Sequence, residues 1–189
     1  YSQSEYEKAA LAFEEGLVCA QRSGYTRMEA FIAMGLGDLY AELEDFHVAQ
    51  LNYQHAEEVV QEMGDRFLLF YLRMAQVSLA LLQKNATEAH KLLTSVALIV
   101  QSGDSIYEKG LLNLALGRLS LLQGSPSQAV NELEAAERCF SEDGLKLEGD
   151  ASRIWLTAAY YQTQNITAIR QMIKGVLGDR GRAGGLVRR

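Results

Sequence analysis

The chain has 189 residues, of which 48% are hydrophobic and 22% are charged, and its formal net charge at pH 7 is −6. This composition excludes a disordered linker, because it provides enough apolar side chains to build a core. The acidic balance argues against direct binding of nucleic acid, since neutralising phosphates requires clustered lysine and arginine. The sequence lacks an apolar run of about 18 residues and a basic-then-apolar amino terminus. We therefore expect no membrane partner and a cytoplasmic location, which the two cysteines also favour.

The abundance of Ala, Leu, Glu and Gln and the single proline predict an all-α fold. Apolar residues at three- and four-residue spacing predict nine helices. In chain order these helices lie near residues 4–23, 26–43, 46–63, 66–83, 86–102, 105–123, 126–142, 146–163 and 166–177. Their short connections place consecutive helices antiparallel. We expect one leading helix and four helix pairs, stacked as a solenoid, over residues 1–177, followed by a Gly/Arg-rich tail or truncated linker over 178–189.

The sequence repeats with a period of 40 residues. Side chains able to cap a helix amino terminus recur at that step, at Asp45, Asn85, Ser125 and Asn165. Pro126 follows one of these caps at a first helical position, and Glu88 could close a capping box with Asn85. Eight residues before the cap the slot is mostly small, as at Gly37 and Gly117, which suits closely crossing helices. Four glycines are predicted to end the second helix of each pair in a left-handed conformation: Gly24, Gly64, Gly103 and Gly144.

The segment Leu36–Tyr40, followed by Ala49, Tyr53 and Ala56, has a small–aromatic–small order that resembles the tetratricopeptide repeat. The other repeats are more divergent, and the resemblance covers about residues 5–177. It implies a right-handed superhelix of helix pairs that binds other proteins. The family's unit has about 34 residues, so each helix here is nearly one turn longer.

Long repeats that end in Gly-Asp, as at Gly64–Asp65 and Gly103–Asp104, resemble those of ATP-dependent LuxR-type bacterial regulators. They also resemble repeats of spindle-orientation adaptors and kinesin light chains. The divergence of the repeats favours the bacterial regulators. The resemblance implies a non-catalytic scaffold module within a larger transcriptional or signalling regulator.

The two cysteines, Cys19 and Cys139, lie three periods apart in one slot of the repeat. Val59 and Ile99 fill that slot in the intervening repeats, so we interpret the cysteines as small core residues with no redox or metal role. Their separation along the stack, an estimated ~25 Å or more, excludes a disulfide between them.

The polar residues form no recognisable reaction centre. None of the histidines has a Cys, Asp or Glu at a known metal spacing; they are His47, His55 and His90. The acid pairs Glu14–Glu15 and Glu57–Glu58 are interpreted as solvated surface. We therefore expect no catalytic, cofactor or metal site, and no enzymatic activity.

The first helix of each pair lines the concave groove in the tetratricopeptide family. Transferring its lining positions by the 40-residue step yields four sets, which are Phe31, Met34, Asp38 and Glu42; Tyr71, Met74, Ser78 and Leu82; Leu111, Leu114, Arg118 and Leu122; and Ala151, Ile154, Ala158 and Tyr161. This mostly apolar strip predicts a site for an amphipathic helix or extended apolar peptide. An acidic tail is disfavoured, because Met34, Met74, Leu114 and Ile154 stand where a carboxylate clamp needs charge or amide groups.

Two alternatives remain open. The strip could pack on itself. It could also pack on a second copy, which would make the chain a homodimer or another structural homo-oligomer. The module could also be a receptor that senses a short signal peptide.

Overall fold

A computed structural model of the chain describes the backbone of residues 3–174, and this range is helical apart from short connections. Nine helices lie within the described range. They are α1 (Gln3–Ser23), α2 (Thr26–Glu42), α3 (Phe46–Met63), α4 (Arg66–Leu82), α5 (Ala86–Gln101), α6 (Ile106–Leu122), α7 (Pro126–Glu142), α8 (Lys146–Gln162) and α9 (residues 166–174). The all-α prediction is confirmed. The predicted tail over 178–189 and the end of the predicted ninth helix lie outside the described residues.

The helix starts follow the repeat closely. The starts of α2 to α9 are spaced 20 residues apart, at positions 26, 46, 66, 86, 106, 126, 146 and 166. Consecutive helices pack against each other within each of the two units defined below, and short turns make them antiparallel. None of the described helices has the length and apolar character needed to cross a bilayer.

Side-chain caps fix three of the four predicted starts. The Asp45 carboxylate accepts a hydrogen bond from the Val48 amide at 3.2 Å, and the Asn85 and Asn165 side chains accept equivalent bonds at 3.1 Å. Ser125 makes no such bond, and Pro126 alone marks that start. The predicted capping box at Asn85 does not form, because the Asn85 amide donates to the Ala80 carbonyl at 2.8 Å.

Each turn within a helix pair contains one residue in the left-handed conformation. The φ angles at these positions are 61°, 55°, 72° and 57°, at Glu44, Lys84, Gly124 and Gln164 respectively. In each turn the following residue donates its amide to the carbonyl five residues back, as from Asp45 to Tyr40 at 2.9 Å. Three of the four residues are not glycine, so the sequence did not indicate this feature.

The turns between pairs confirm three predicted left-handed glycines and correct the fourth. Gly24, Gly64 and Gly144 have φ values of 66°, 64° and 69°, whereas Gly103 is not left-handed. A Cβ at Gly103 would lie 2.6 Å from Nη2 of Arg66, which is the end of a flexible side chain that can move aside. That guanidinium donates to the Ile99 carbonyl at 2.8 Å and thereby caps the carboxyl end of α5.

The chain divides into two compact units, the first ending at Gly103 and the second beginning at Asp104. Helices α1 to α5 belong to the first unit and α6 to α9 to the second. In the first unit Gly37 lets α2 approach the ring of Tyr53 on α3, since any Cβ at Gly37 would overlap that ring. In the second unit Gly117 does the same for Leu133 on α7. The close helix crossings predicted at the small slot are therefore confirmed at Gly37 and Gly117.

Candidate functional site

The predicted strip of the first unit lies on α2 and α4, two helices that contact each other. Phe31 is 39% exposed and Leu82 51% exposed, while Tyr71, Met74 and Ser78 are half-buried. The polar members Asp38 and Glu42 are exposed near the carboxyl end of α2. These seven residues therefore all retain surface that a ligand can reach.

Met34 does not belong to this surface. It is only 6% exposed and is part of the core of the first unit, together with Ala30, Ala33 and Leu72. The 40-residue step correctly equates Met34 with Met74 but carries no information on burial. Met34 is accordingly a core residue, and the prediction that it lines the strip is not supported.

Arg27 and Phe67 were not predicted from the sequence, but they contact the aromatic residues of the strip. The guanidinium carbon of Arg27 lies 6.0 Å from the ring centre of Phe31 and 5.9 Å from that of Phe67. The centre of the Phe67 ring is in turn 4.6 Å from the centre of the Tyr71 ring. We call these four residues the Arg27 cluster. Arg27 and Phe67 stand one period apart and one helical turn before Phe31 and Tyr71, a spacing that could have identified them.

An ion pair holds the Arg27 cluster in place. Arg27 binds the Asp65 carboxylate at 2.7 Å, and Asp65 also caps α4 by accepting from the Leu68 amide at 3.1 Å. Phe67 remains 44% exposed despite these contacts. The cluster is thus an aromatic surface whose rings are positioned before any ligand arrives.

The Asp38 carboxylate is bound to the core hydroxyl of Tyr53, which donates to it at 2.6 Å. Partial removal of Asp38 from water raises its pKa; the Tyr53 hydrogen bond opposes this rise, and the neighbouring Glu42 carboxylate adds to it. Burial and the Asp38 carboxylate also raise the pKa of Tyr53. Two acidic side chains therefore stand together at one end of the strip.

The second unit has a corresponding strip on α6 and α8. Leu111, Leu114 and Arg118 are half-buried, while the three outermost residues are more exposed: Leu122 at 36%, Ile154 at 70% and Tyr161 at 74%. Ala151 and Ala158 are half-buried beside them. This face is apolar apart from Arg118.

The guanidinium carbon of Arg118 lies 5.1 Å from the ring centre of Trp155, a residue that is 38% exposed. Its buried Nε atom has no hydrogen-bond partner within the described residues, and desolvation lowers the pKa of Arg118. The indole stabilises this charge through its π face. In the part of the chain that the structure describes, Arg118 therefore interrupts the apolar face without a carboxylate to neutralise it.

The cysteines are free, and only one of them is shielded from solvent. Cys139 is half-buried and its pKa is raised by burial. Cys19 is exposed, so its interpretation as a core residue is wrong. The reason is its position on α1, which packs only against α2 in the described part of the chain, whereas Val59 lies on α3 between two neighbours.

His47 and His90 are exposed, and His55 is paired with Glu29 at 2.8 Å. No group of His, Cys, Asp and Glu suited to a metal occurs among the described residues.

Glu57 departs from the expected solvated surface. It accepts two hydrogen bonds from Arg73, at 2.6 and 2.9 Å, and one from Gln76 at 3.0 Å. The hydrogen bonds from Arg73 lower its pKa, and burial opposes that shift. Glu57 therefore has a structural role, because these hydrogen bonds join α3 to α4.

Neither a scan against protein-family models nor a comparison with the curated proteins finds a match for this chain.

Proposed function

We propose that the chain is a non-catalytic scaffold module that binds a protein or peptide along the exposed face of α2 and α4. The observation that supports this most strongly is the Arg27 cluster. Its two phenylalanine rings are 39% and 44% exposed although an arginine fixes them from one side. Aromatic side chains in a fixed arrangement lose little conformational freedom on binding, which makes them effective anchors at interfaces.

The ligand that suits this face is an amphipathic helix or an extended apolar peptide. Phe31, Phe67 and Leu82 offer apolar area, and Met74 between them adapts its shape to a partner. The neighbouring carboxylates of Asp38 and Glu42 favour a ligand that carries a lysine or arginine beside its apolar residues. The same carboxylates repel an acidic tail.

The test starts from a random library of displayed 12-residue peptides selected on the full chain. Fluorescence anisotropy then measures the Kd of the selected peptides. We expect Met74→Glu to weaken them at least about tenfold, because it places a charge in an apolar contact. Leu98→Glu is the matched control, since Leu98 lies on α5 outside the strip and is 66% exposed. Equal affinity for Met74→Glu and the wild-type chain, with helicity unchanged by circular dichroism, would contradict the proposal.

We propose further that this module works within a larger bacterial regulator of transcription or signalling in the cytoplasm. The support is the resemblance of the long repeats to those of the ATP-dependent LuxR-type regulators. In that setting, occupancy of the strip would act on neighbouring domains.

Self-association is the second candidate function, and the exposed face of the second unit favours it. Leu147, Ile154 and Tyr161 on α8 are 82%, 70% and 74% exposed. Apolar residues exposed together on one helix commonly mark an interface. Light scattering across a dilution series tests this candidate: a dimer that dissociates on dilution supports it, and a monomer throughout the micromolar range opposes it.

A further inference from the structure

Arg118 has no partner of opposite charge in the part of the chain that the structure describes. It forms neither a hydrogen bond nor an ion pair with the described residues, and its buried Nε atom is left without an acceptor. Two other half-buried arginines each bind a glutamate, Arg73 at 2.6 Å and Arg153 at 3.0 Å. A charged group that is withdrawn from water without a partner costs stability. The packing of the fold alone therefore does not account for Arg118.

The indole ring of Trp155 holds the guanidinium of Arg118 in position. The distance of 5.1 Å between the guanidinium carbon and the ring centre is that of a cation–π contact. A planar guanidinium that rests on a ring by one face still directs its N–H groups outward in its own plane. Because Arg118 is only half-buried, part of its side chain stays open to solvent. The guanidinium can therefore receive an acceptor without first being ordered.

Apolar side chains lie on both sides of Arg118 along α6. Leu114 comes one turn before it and Leu122 one turn after it, and both retain accessible surface. No acidic residue belongs to the strip on α6 and α8 described above. An ion pair formed here is weakly screened, since the apolar side chains keep water away from it. These surroundings favour a partner that brings a carboxylate together with apolar side chains.

The spacing of these residues suits an extended peptide. Residues four apart on a helix are separated by about 6 Å along its axis. Every second side chain of an extended chain points to the same side, at a spacing of about 6.6 Å. A segment with the pattern apolar–x–acidic–x–apolar therefore places its acidic side chain at Arg118 and its apolar side chains at Leu114 and Leu122.

From this geometry we infer that the strip on α6 and α8 binds an extended segment of a partner protein, through a glutamate or aspartate side chain that pairs with Arg118. The carboxylate accepts two hydrogen bonds from the guanidinium, and the flanking apolar side chains cover Leu114 and Leu122. A second copy packed through the same strip would leave Arg118 unpaired, because the strip contains no acidic residue. The inference does not rest on the proposed function, since no residue of α2 or α4 takes part.

Trp155 is the only tryptophan of the chain, so its fluorescence reports directly on this site. The probes are Ac-Leu-Ser-Glu-Ser-Leu-NH₂ and its analogues with glutamine or lysine at the centre. Titration of the full chain with each peptide measures Kd from the Trp155 emission. We expect the glutamate peptide to bind about tenfold more tightly than the glutamine peptide, and the lysine peptide to bind most weakly. Equal affinities for the glutamate and glutamine peptides, or emission that none of the peptides changes, would overturn the inference.

Arg118→Met removes the charge and keeps an unbranched side chain of similar length. It should abolish the preference for glutamate over glutamine, while both peptides still change the Trp155 emission. Arg138→Met is the matched control, because the Arg138 side chain is 64% exposed on α7 outside the strip; it should keep the tenfold preference. Circular dichroism checks that both variants are helical, and the titrations of the wild-type chain do not depend on either variant. A preference that persists in folded Arg118→Met excludes the assigned ion pair and overturns the inference.

Two further measurements separate the other occupants of this strip. The first uses the glutamine peptide with a free carboxyl end, Ac-Leu-Ser-Gln-Ser-Leu-OH, which should bind no more tightly than its amidated form. A tenfold gain that Arg118→Met removes would assign the site to a chain terminus and overturn the inference. The second is dilution of the chain without peptide, which should leave the Trp155 emission per molecule constant. A change on dilution would assign the strip to a second copy, with the same consequence.

Discussion

Glycines at helix crossings set how closely the helices of a pair approach. At Gly117 a Cβ would overlap the side chain of Leu133, which is fully buried. Gly149 is different although it is also buried, since its nearest neighbour would lie 3.9 Å away, at Cβ of Phe140. The first glycine is a packing requirement and the second is not.

These two glycines should respond oppositely to the same substitution. We expect Gly117→Ala to lower the free energy of unfolding by about 2 kcal/mol, through overpacking against Leu133. Gly149→Ala should leave it unchanged or raise it by about 0.5 kcal/mol, because alanine loses less backbone entropy in a helix. Urea denaturation followed by circular dichroism measures both. Similar losses in the two variants would show that the crossing at Gly117 is no closer than the surroundings of Gly149.

The sequence predicted which residues occupy equivalent positions of the repeat. It did not predict how exposed each of these residues is. The 40-residue step placed Met34 with Met74 and Cys19 with Val59, yet the members of each pair differ in burial. Burial depends on which helices cover a slot, and this changes between α1 and the helices that follow it. The aromatic contacts around Arg27 were missed for the same reason, since they join two neighbouring helix pairs.

Helices α3 and α4 are joined by an ion pair that recurs between α7 and α8. Glu57 binds Arg73 at 2.6 Å, and 80 residues later Glu137 binds Arg153 at 3.0 Å. Each pair joins the second helix of one repeat to the first helix of the next. The intervening repeat has Ala97 and Asn113 at these positions, so a single repeat does not reveal the pattern.

The Glu57–Arg73 pair should make stability depend on pH. Because the folded state lowers the pKa of Glu57 below its ordinary value of 4.5, the pair stabilises the fold above pH 4.5 and loses its effect as the pH falls through the folded-state pKa. We expect Arg73→Met to cost about 1–2 kcal/mol at pH 7, and the difference from wild type to shrink below pH 4.5.

Lys91→Met is the control, because its ion pair with Glu88 is largely exposed and should contribute less than about 0.5 kcal/mol. Thermal or urea unfolding at pH 7 and pH 3 measures both variants. A cost for Arg73→Met that is the same at the two pH values would contradict a role for the ionised Glu57.

Helix boundaries were largely predictable because they depend on local chemistry. Asp45 and Asn85 cap their helices as the sequence indicated, and the bounds agree within about two residues. The left-handed residues Glu44 and Lys84 were not predictable, since the paired helices impose that conformation on residues that do not favour it. The capping of α5 by Arg66 depends on a contact between residues far apart in sequence.

From α2 to α9, the regular step of 20 residues between helix starts places chemically different side chains at equivalent positions. The repeat thus supplies the scaffold, and substitutions within its slots supply possible sites. Phe31 and Tyr71 provide apolar surface in this way. The strip itself was predicted from the sequence through a family resemblance.

The five methionines of the chain allow a direct test of where a peptide binds. Met74 lies on the strip, whereas Met63 packs against the core at the end of α3 and Met172 packs against the core of the second unit. With ¹³C-methyl methionine, NMR spectra recorded while a selected peptide is added should show the largest shift at Met74 and little change at Met63 and Met172. A peptide that shifts Met63 or Met172 and leaves Met74 unchanged would contradict binding along α2 and α4.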